Sequence, residues 1–286
     1  MNCVYTVVVK TLLITAIIIF AGTPLLAETI TLAQLASAPT LDGSDSDWEG
    51  TLPTTVQLNN SGENVTVSTQ SASIKAGVFG DEVYLFIQWE DSTKDDQHKP
   101  FVWDTAQNKY VAGDQMEDRL ALQFAMEGDY TVNWMSGQSF TADMWHWKAA
   151  RSNPLDLMQD KMTIIGEDPV KKAFMATGEN GKALYIQRPS DQGDKFYTTK
   201  RYSSKENDIM PKYILASNPQ GSVADVHCKG IWKDGKWNLE VQRKLNTGHQ
   251  DDVVFAQGKL IKAGLAIFDH SGDDNHVISD TLTFQF

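Results

Sequence analysis

The sequence has very little cysteine, which limits both its covalent architecture and its chemistry. Two cysteines occur in 286 residues, Cys3 and Cys228. Cys3 falls in an N-terminal leader that we expect to be removed, so Cys228 stands alone in the mature chain and a disulfide framework is excluded. No Cys-x-x-Cys-His motif occurs either, which excludes a haem held by thioether bonds.

Long apolar runs are missing beyond the first 27 residues. Lys10 precedes an apolar run over residues 11–21, and Gly22, Pro24 and Ala27 follow it. This order is typical of a secretory signal peptide, and the run is shorter than the roughly 20 residues of a transmembrane helix. We therefore predict a signal peptide over residues 1–27, a periplasmic or secreted location, and no membrane span after cleavage. The alternative is an uncleaved N-terminal anchor.

Positive charge is scarce as well. Lysine and arginine total 25 against 37 aspartates and glutamates. Removal of the leader takes away Lys10 and no acid, so 24 basic residues face 37 acidic ones and the mature net charge is −13. An acidic surface repels nucleic acid and anionic lipid, which argues against both as partners. It suits solubility or a basic protein partner.

The apolar pattern predicts an all-β protein. Residues 83–89 are apolar on both faces, as expected for a strand covered by a second sheet. Every second residue is apolar along residues 119–125, which places one face of that strand against a core. Residues 230–241 predict a hairpin, because Asp234-Gly235 suits a tight turn. Further strands are predicted at residues 74–78, 260–268 and 277–286.

The strand pattern is interrupted between residues 152 and 215. Eight prolines and glycines punctuate this range, which predicts a long loop-rich insertion rather than a separate domain. The predicted fold class is therefore all-β: a single antiparallel β-sandwich over residues 28–286 that carries a loop-rich insertion at residues 152–215.

The opening of the mature chain resembles two families of β-sandwich domains. Residues 38–43 read Ala-Pro-Thr-Leu-Asp-Gly, and Ser46-Asp47-Trp48 follows them. This start, with the strand over residues 82–91, is similar to carbohydrate-binding modules of family 9 and to DOMON domains. The resemblance implies the sandwich fold. It also gives an alternative function, a secreted carbohydrate-binding module in which exposed tryptophans stack on sugar rings: Trp48, Trp134, Trp145 or Trp147.

A second resemblance covers residues 74–286 and rests on four landmarks. They are residues 117–121 (Glu-Asp-Arg-Leu-Ala), residues 145–149 (Trp-His-Trp-Lys-Ala), the strand over residues 237–243, and the ending over residues 266–279. Together they resemble the haem-binding subunit of ethylbenzene dehydrogenase and its relatives. This resemblance implies a b-type haem held between the two layers of the sandwich, with methionine and lysine as axial ligands. Related DOMON cytochromes use methionine and histidine.

Carried onto this sequence, the resemblance suggests particular axial ligands. His276 stands where the family often has a lysine, so we expect it to be the nitrogen ligand, with His270 as a substitute. Met116 is the expected sulfur ligand, and Met144 and Met126 are the alternatives. A neutral imidazole is a good iron ligand, and a methionine thioether raises the haem potential.

The Trp-His-Trp cluster is expected to contribute to the haem pocket. His146 should lie on the face of its strand opposite Trp145 and Trp147, and it is a further candidate ligand. The two tryptophans would line the pocket, while Lys148 and Arg151 would bond a haem propionate.

These observations lead to one functional prediction. We expect a periplasmic or secreted b-type cytochrome that transports electrons and is not itself an enzyme. The resemblance implies partners, a molybdenum oxidoreductase catalytic subunit with its iron–sulfur subunit or a soluble cytochrome, and haem b as the cofactor. A third possibility is an extracytoplasmic interaction domain whose aromatic residues all belong to the core.

Overall fold

The computed structural model describes residues 28–286, so the signal peptide predicted at residues 1–27 lies outside the described residues. Strands dominate the described part, which has no α-helix and only short 3₁₀ turns at Asp45–Trp48, Asn153–Leu155 and Ser222–Ala224. Within residues 28–286 no helix has the length and apolar character needed to cross a bilayer.

The strands are numbered in chain order. The first ten are β1 (Thr29–Thr31), β2 (Ala33–Gln34), β3 (Thr54–Asn60), β4 (Ser71–Phe79), β5 (Glu82–Glu90), β6 (Phe101–Asp104), β7 (Lys109–Ala112), β8 (Arg119–Gly128), β9 (Phe140–Lys148) and β10 (Gln159–Gly166). The others are β11 (Phe174–Thr177), β12 (Ala183–Gln187), β13 (Tyr197–Thr199), β14 (Ile209–Met210), β15 (Tyr213–Leu215), β16 (His227–Lys233), β17 (Lys236–Lys244), β18 (Leu260–Phe268), β19 (Val277–Ser279) and β20 (Leu282–Gln285).

Two antiparallel layers form the body of the fold. One layer has the order β3-β4-β5-β17-β16, and the other has the order β11-β12-β10-β9-β8-β18. The short strand β19 pairs with both β18 and β3 and so joins the layers at one side. Two pairings are parallel, β1 with β20 and β2 with β4. Both involve a very short strand, since β1 has three residues and β2 has two. The predicted all-β antiparallel sandwich is confirmed.

The core lies between the two layers and is filled by large side chains. Trp89, Trp147 and Trp237 come from β5, β9 and β17, and each is 2% exposed or less. The Trp147 ring lies 5.7 Å from that of Trp89 and 4.8 Å from that of Trp237, in edge-to-face geometry. Offset and edge-to-face aromatic packing adds about 0.5–1.5 kcal/mol per pair beyond area burial. This cluster therefore ties the two layers together.

Several predicted strands match the structure closely. The strand predicted at residues 260–268 is β18, and the hairpin predicted at residues 230–241 is formed by β16 and β17. The strand predicted at residues 277–286 is instead divided into β19 and β20. β19 pairs with one end of β18 and with β3, whereas β20 pairs with the other end of β18.

The insertion predicted at residues 152–215 is less separate from the sandwich than its glycines and prolines suggest. It contains six strands, β10 to β15. Seven residues of β10 pair with β9, and β12 and β11 follow at the edge of the same sheet. The remaining short strands, β13 to β15, pair outside the main sheet.

Candidate functional site

Strand β9 has two buried faces of different character. Successive side chains of a strand point to opposite sides, so Trp145 and Trp147 enter the core between the layers while Met144, His146 and Lys148 lie on the other face. All five are at most 8% exposed. A polar face that is covered so fully is unusual, because desolvating polar groups costs free energy unless they find partners.

His146 lies in a row of small residues that crosses the sheet. It stands opposite Ala121 of β8, and Ala121 stands opposite Ala266 of β18. Met144, the next residue of β9 on this face, belongs to one buried apolar cluster with Ala121 and Phe268. The small side chains of Ala121 and Ala266 leave His146 as the large side chain of this row.

The imidazole of His146 has no conventional role in this packing. Its Nδ1 and Nε2 are both buried and neither has a hydrogen-bond partner among residues 28–286. Burial, together with the charges of Lys148 and Lys161, holds the pKa of His146 well below its ordinary value. The ring is therefore neutral at physiological pH and keeps one unprotonated nitrogen. Each unsatisfied buried nitrogen costs about 1–3 kcal/mol.

A second imidazole approaches the same place from the loop before β19. His276 stacks on Phe268 with ring centroids 4.6 Å apart, and His146 lies 6.5 Å from the same phenylalanine ring. Nδ1 of His276 is also buried without a partner in the described chain. Burial and the charge of Arg119 lower its pKa. Phe268 thus brings two neutral imidazoles to one region.

Arg119 fastens this loop to the sheet. Its Nη1 donates to Asp273 Oδ1 at 2.5 Å and its Nη2 donates to the Ser271 carbonyl at 2.7 Å. The guanidinium carbon lies 4.2 Å from the Phe268 ring centroid. Asp273 also accepts a bond from Arg188 of the insertion, at 3.2 Å. Sheet, loop and insertion therefore meet at Asp273.

The other predicted ligands lie at different distances from this face. Met116 is half-buried beside the same loop, since its Cε lies 4.0 Å from the position that a Cβ on Gly272 would take. Met126 lies near the far end of β8 and packs against the core between the layers. His270 is exposed, and its Nδ1 lies 2.8 Å from Asp95 Oδ1. The structure therefore places His146 and His276 beside Phe268, with Met144 on the same face of β9 as His146 and Met116 next to the loop that carries His276. Met126 and His270 lie elsewhere.

The two predicted propionate partners already have contacts within the chain. Lys148 donates from Nζ to Gln159 Oε1. Arg151 pairs through Nε with the fully buried Glu117, and its Nη1 lies 3.1 Å from the Tyr197 hydroxyl. Burial lowers the pKa of Lys148 well below its usual range.

The tryptophans that were predicted to line a haem pocket or to stack on a sugar are packed against other residues of the chain. Trp145 and Trp147 are 0% exposed in the core. Trp48 is 1% exposed and donates to Glu240 at 2.9 Å. These three rings are closed to a sugar ligand. Trp134 is half-buried, with the Arg188 guanidinium 6.0 Å from its ring.

Sequence reasoning did not single out Phe268 or Arg119 as site residues. Both belong to segments named as landmarks, but their roles arise only when the loop over residues 269–276 folds back on the sheet. The available signal was the alternation of β18, which places Phe268 on the face opposite Ile267.

Three solved structures that are similar to this chain are carbohydrate-binding proteins. A candidate carbohydrate-binding protein from Bacteroides uniformis has 10% sequence identity and a TM-score of 0.42, with 90% of each chain covered. A family 9 carbohydrate-binding module from Caldicellulosiruptor kristjanssonii, in complex with glucose, has 9% identity and a TM-score of 0.40, covering 90% of this chain and 95% of that one. The same module with cellotriose has 9% identity and a TM-score of 0.38, covering 89% and 84%.

Comparison with curated proteins gave no significant match. The family model described as ethylbenzene dehydrogenase, in contrast, matches residues 45–277, which is well over half of the sequence. That span includes β3 to β18 and ends in β19. It contains every residue proposed above as a haem ligand or pocket residue. The chain belongs to the ethylbenzene dehydrogenase family.

Proposed function

We propose that this protein is a periplasmic b-type cytochrome that transfers electrons as a subunit of an oxidoreductase complex, like the gamma subunit of molybdenum-dependent ethylbenzene dehydrogenase. The observation that carries the proposal is the buried face of β9, where the neutral imidazole of His146, whose nitrogens have no partner among residues 28–286, lies on the same side of the strand as Met144. Membership of the family supports a non-catalytic subunit of an oxidoreductase.

The residues on this face fit a haem. A b-type haem in electron transfer needs two strong-field axial ligands and an environment that excludes water. Buried nitrogen atoms that lack protons and partners are suited to iron, whereas structural histidines in a core are normally hydrogen-bonded. We propose His276 as the nitrogen ligand and Met116 as the sulfur ligand. Met144 is the alternative sulfur and His146 the alternative nitrogen.

The remaining residues would hold and shield the group. Phe268, Ala121 and Ala266 offer apolar surface that excludes water. Arg119 and Arg151 supply positive charge for propionates, and Lys148 offers a hydrogen-bond donor. Arg119 contacts Phe268, the ring beside which both imidazoles lie. Trp145 and Trp147 pack in the core on the opposite face of β9 and so hold in place the strand that carries Met144 and His146. When bound, haem b supplies reversible one-electron chemistry at iron.

The proposed partners follow from the family and the charge. A molybdenum catalytic subunit with an iron–sulfur subunit, or a soluble cytochrome, would exchange electrons with this chain. The net charge of −13 on the predicted mature chain, with 24 basic and 37 acidic residues, favours a basic docking surface on that partner.

The decisive experiment is a pyridine haemochrome assay on the mature protein purified after export with an adequate haem supply. We expect about one haem b per chain, a Soret band, and a sharp α band on reduction. His276→Ala and Met116→Ala should shift or abolish that spectrum. A folded, haem-supplied preparation that stays colourless would overturn the proposal.

Matched substitutions separate ligands from bystanders. His270→Ala and Met126→Ala remove the same side-chain types from positions outside the buried face, so they should leave the spectrum unchanged. His146→Ala and Met144→Ala test the alternative ligands. If His276→Ala leaves the spectrum intact while His146→Ala abolishes it, the haem proposal stands and the ligand assignment moves to His146.

The carbohydrate-binding alternative has less support. Trp48, Trp145 and Trp147 are at most 1% exposed, so three of its four candidate stacking residues are unavailable. Trp134 is the remaining one.

A further inference from the structure

A group of buried carboxylates lies on the core side of β9, at the opposite face from Met144 and His146. Asp143 of β9, Asp160 of β10 and Asp252 each offer a carboxylate oxygen, and these oxygens lie within 4.8 Å of one another. The three side chains are 0%, 0% and 4% exposed. Asp191, which is 7% exposed, adjoins them through its backbone N–H, 3.3 Å from the Asp160 carbonyl.

Four oxygens of this group have no partner. Oδ1 of Asp143, Oδ2 of Asp160 and both carboxylate oxygens of Asp191 are buried and accept no hydrogen bond from residues 28–286. Buried carboxylates in proteins are normally paired, hydrogen-bonded or bound to a metal. These unpartnered acceptor oxygens therefore point to a positively charged ligand.

Protein cations balance only part of the charge. Arg243 is fully buried and its Nη1 lies 2.6 Å from Asp143 Oδ2. Nδ1 of His249 lies 3.8 Å from Asp252 Oδ2. Burial and the neighbouring carboxylates raise the pKa of Asp160 well above its usual range and that of Asp191 to about 8. When all four carboxylates are ionised, their charge exceeds that of the buried Arg243 guanidinium in a dry environment, and a bound cation would replace the protons that the raised pKa values otherwise retain.

We propose that Asp143, Asp160, Asp191 and Asp252 bind a divalent cation of the calcium class. All the free donors are oxygens, which calcium prefers, and calcium accepts the irregular geometry and mixed carboxylate–water coordination that such a cluster offers. Zinc prefers nitrogen and sulfur donors, and magnesium demands a near-ideal octahedron.

A route to solvent lies next to the cluster. An open cavity of about 750 Å³ is lined by Gln192 and Asp251, the neighbours in sequence of Asp191 and Asp252, and by Ser222. The Ser222 hydroxyl bonds Asp251 at 2.8 Å and Asp252 at 3.5 Å. An ion entering from this cavity would keep water on its open side and would tie β9 and β10 to the loops over residues 188–194 and 247–253.

The test is calorimetric titration of the chelator-treated mature chain with calcium, magnesium and zinc chlorides in turn. We expect one calcium site with a dissociation constant of about 10⁻⁴ M or tighter, a weaker response to the other two, and a rise in melting temperature with calcium. Asp160→Asn should weaken calcium binding at least about tenfold, because it removes a ligand charge.

Asp91→Asn is the matched control, since Asp91 belongs to a second group of close carboxylates, with Asp118 and Asp269. This variant should bind calcium as the unaltered protein does. Failure of the folded, unaltered chain to bind calcium would overturn the proposal and would leave shared protons as the explanation for the cluster. Loss of binding in Asp91→Asn with retention in Asp160→Asn would also overturn it. Haem content is a separate readout, so neither result depends on the proposed cytochrome function.

Discussion

Trp147 and His146 are adjacent in the chain, yet their side chains meet opposite requirements. The Trp147 indole is surrounded by other rings and donates from Nε1 to Asn153 Oδ1 at 3.0 Å. The His146 imidazole is also buried but bonds nothing in the described chain. The first side chain stabilises the fold, whereas the second lowers its stability unless a ligand compensates. This contrast gives two predictions at the scale of single residues.

Trp147→Ala should lower the free energy of unfolding by about 3–5 kcal/mol, because it leaves a large cavity between Trp89 and Trp237. Urea denaturation followed by circular dichroism measures the change. Phe174→Ala is the control, since Phe174 is 68% exposed and its removal should alter stability by no more than about 0.5 kcal/mol. Equal effects of the two substitutions would contradict the aromatic packing described above.

His146→Leu should stabilise the haem-free protein by about 1 kcal/mol. Leucine fills a similar volume, and it removes two buried nitrogens that have no hydrogen-bond partner. Comparison of unfolding midpoints for the haem-free forms gives the difference. A loss of several kcal/mol would show that the imidazole makes stabilising contacts within the protein. It would contradict the view that His146 lacks a partner in the haem-free chain.

At the scale of elements, strands with regular alternation were predictable and strands with mixed faces were not. β18 follows its predicted range because one face meets the core and the other meets the site. β10 was included in a loop-rich insertion because of the glycines and prolines around it, and Lys161 and Thr163 break the apolar alternation that would have indicated a strand. These polar residues are half-buried and buried, respectively, on the same sheet face as His146. The polar residues on the face that β10 shares with His146 therefore obscured the strand pattern in the sequence.

The candidate site was predictable in part for a related reason. The histidines and methionines could be named from their type and from the family resemblance. Phe268 and Arg119 required knowledge of how the loop over residues 269–276 returns to the sheet, which depends on long-range contacts such as that between Arg119 and Asp273.

The turn between β16 and β17 provides a prediction about a single element. Asp234 and Gly235 have φ values of 53° and 77°, the left-handed pair that a tight hairpin needs. Gly235→Ala should cost about 1–2 kcal/mol, since an added Cβ would disfavour that backbone conformation although its nearest contact is 4.0 Å away. Gly62→Ala, at an open position without positive φ, should cost less than about 0.5 kcal/mol. Thermal unfolding of both variants checks the difference.

The carboxylate cluster predicts a pH dependence of stability in chelator. The pKa of Asp191 is about 8 in the folded state, raised by burial and by Asp143, Asp251 and Asp252, whereas an unfolded aspartate titrates near about 4. Between these values the folded protein holds a proton that the unfolded chain has released. The free energy of unfolding should therefore fall as pH rises from about 4 to about 8.

Asp191→Asn should flatten this decline, which urea titrations at several pH values would show. The charged groups near Asp191 include Asp143, Asp160, Asp251, Asp252 and Lys161, and the substitution leaves them in place. An unchanged slope in Asp191→Asn would show that another group controls the pH dependence. Saturating calcium should also reduce the slope if the cluster binds it.

For the whole molecule, the net charge of −12 should govern encounters with the proposed redox partners. Reduction or oxidation of the haem-loaded protein by a cationic reagent should slow as ionic strength rises, because salt screens the attraction. The rate with an anionic reagent should increase under the same change. Stopped-flow absorbance at the Soret band measures both. Identical salt responses would indicate that the electron-transfer edge does not experience the overall charge.

One strand bears on how the molecule would take up the proposed haem. β19 is hydrogen-bonded to β18 on one side and to β3 on the other, and His276 immediately precedes it. The proposed ligand His276 therefore lies next to the strand that joins the two layers. Admitting a group as large as a porphyrin beneath the loop over residues 269–276 would require β19 to separate from a neighbouring strand. We expect haem capture to accompany the closing of the sandwich after export, rather than to follow it as a separate docking event.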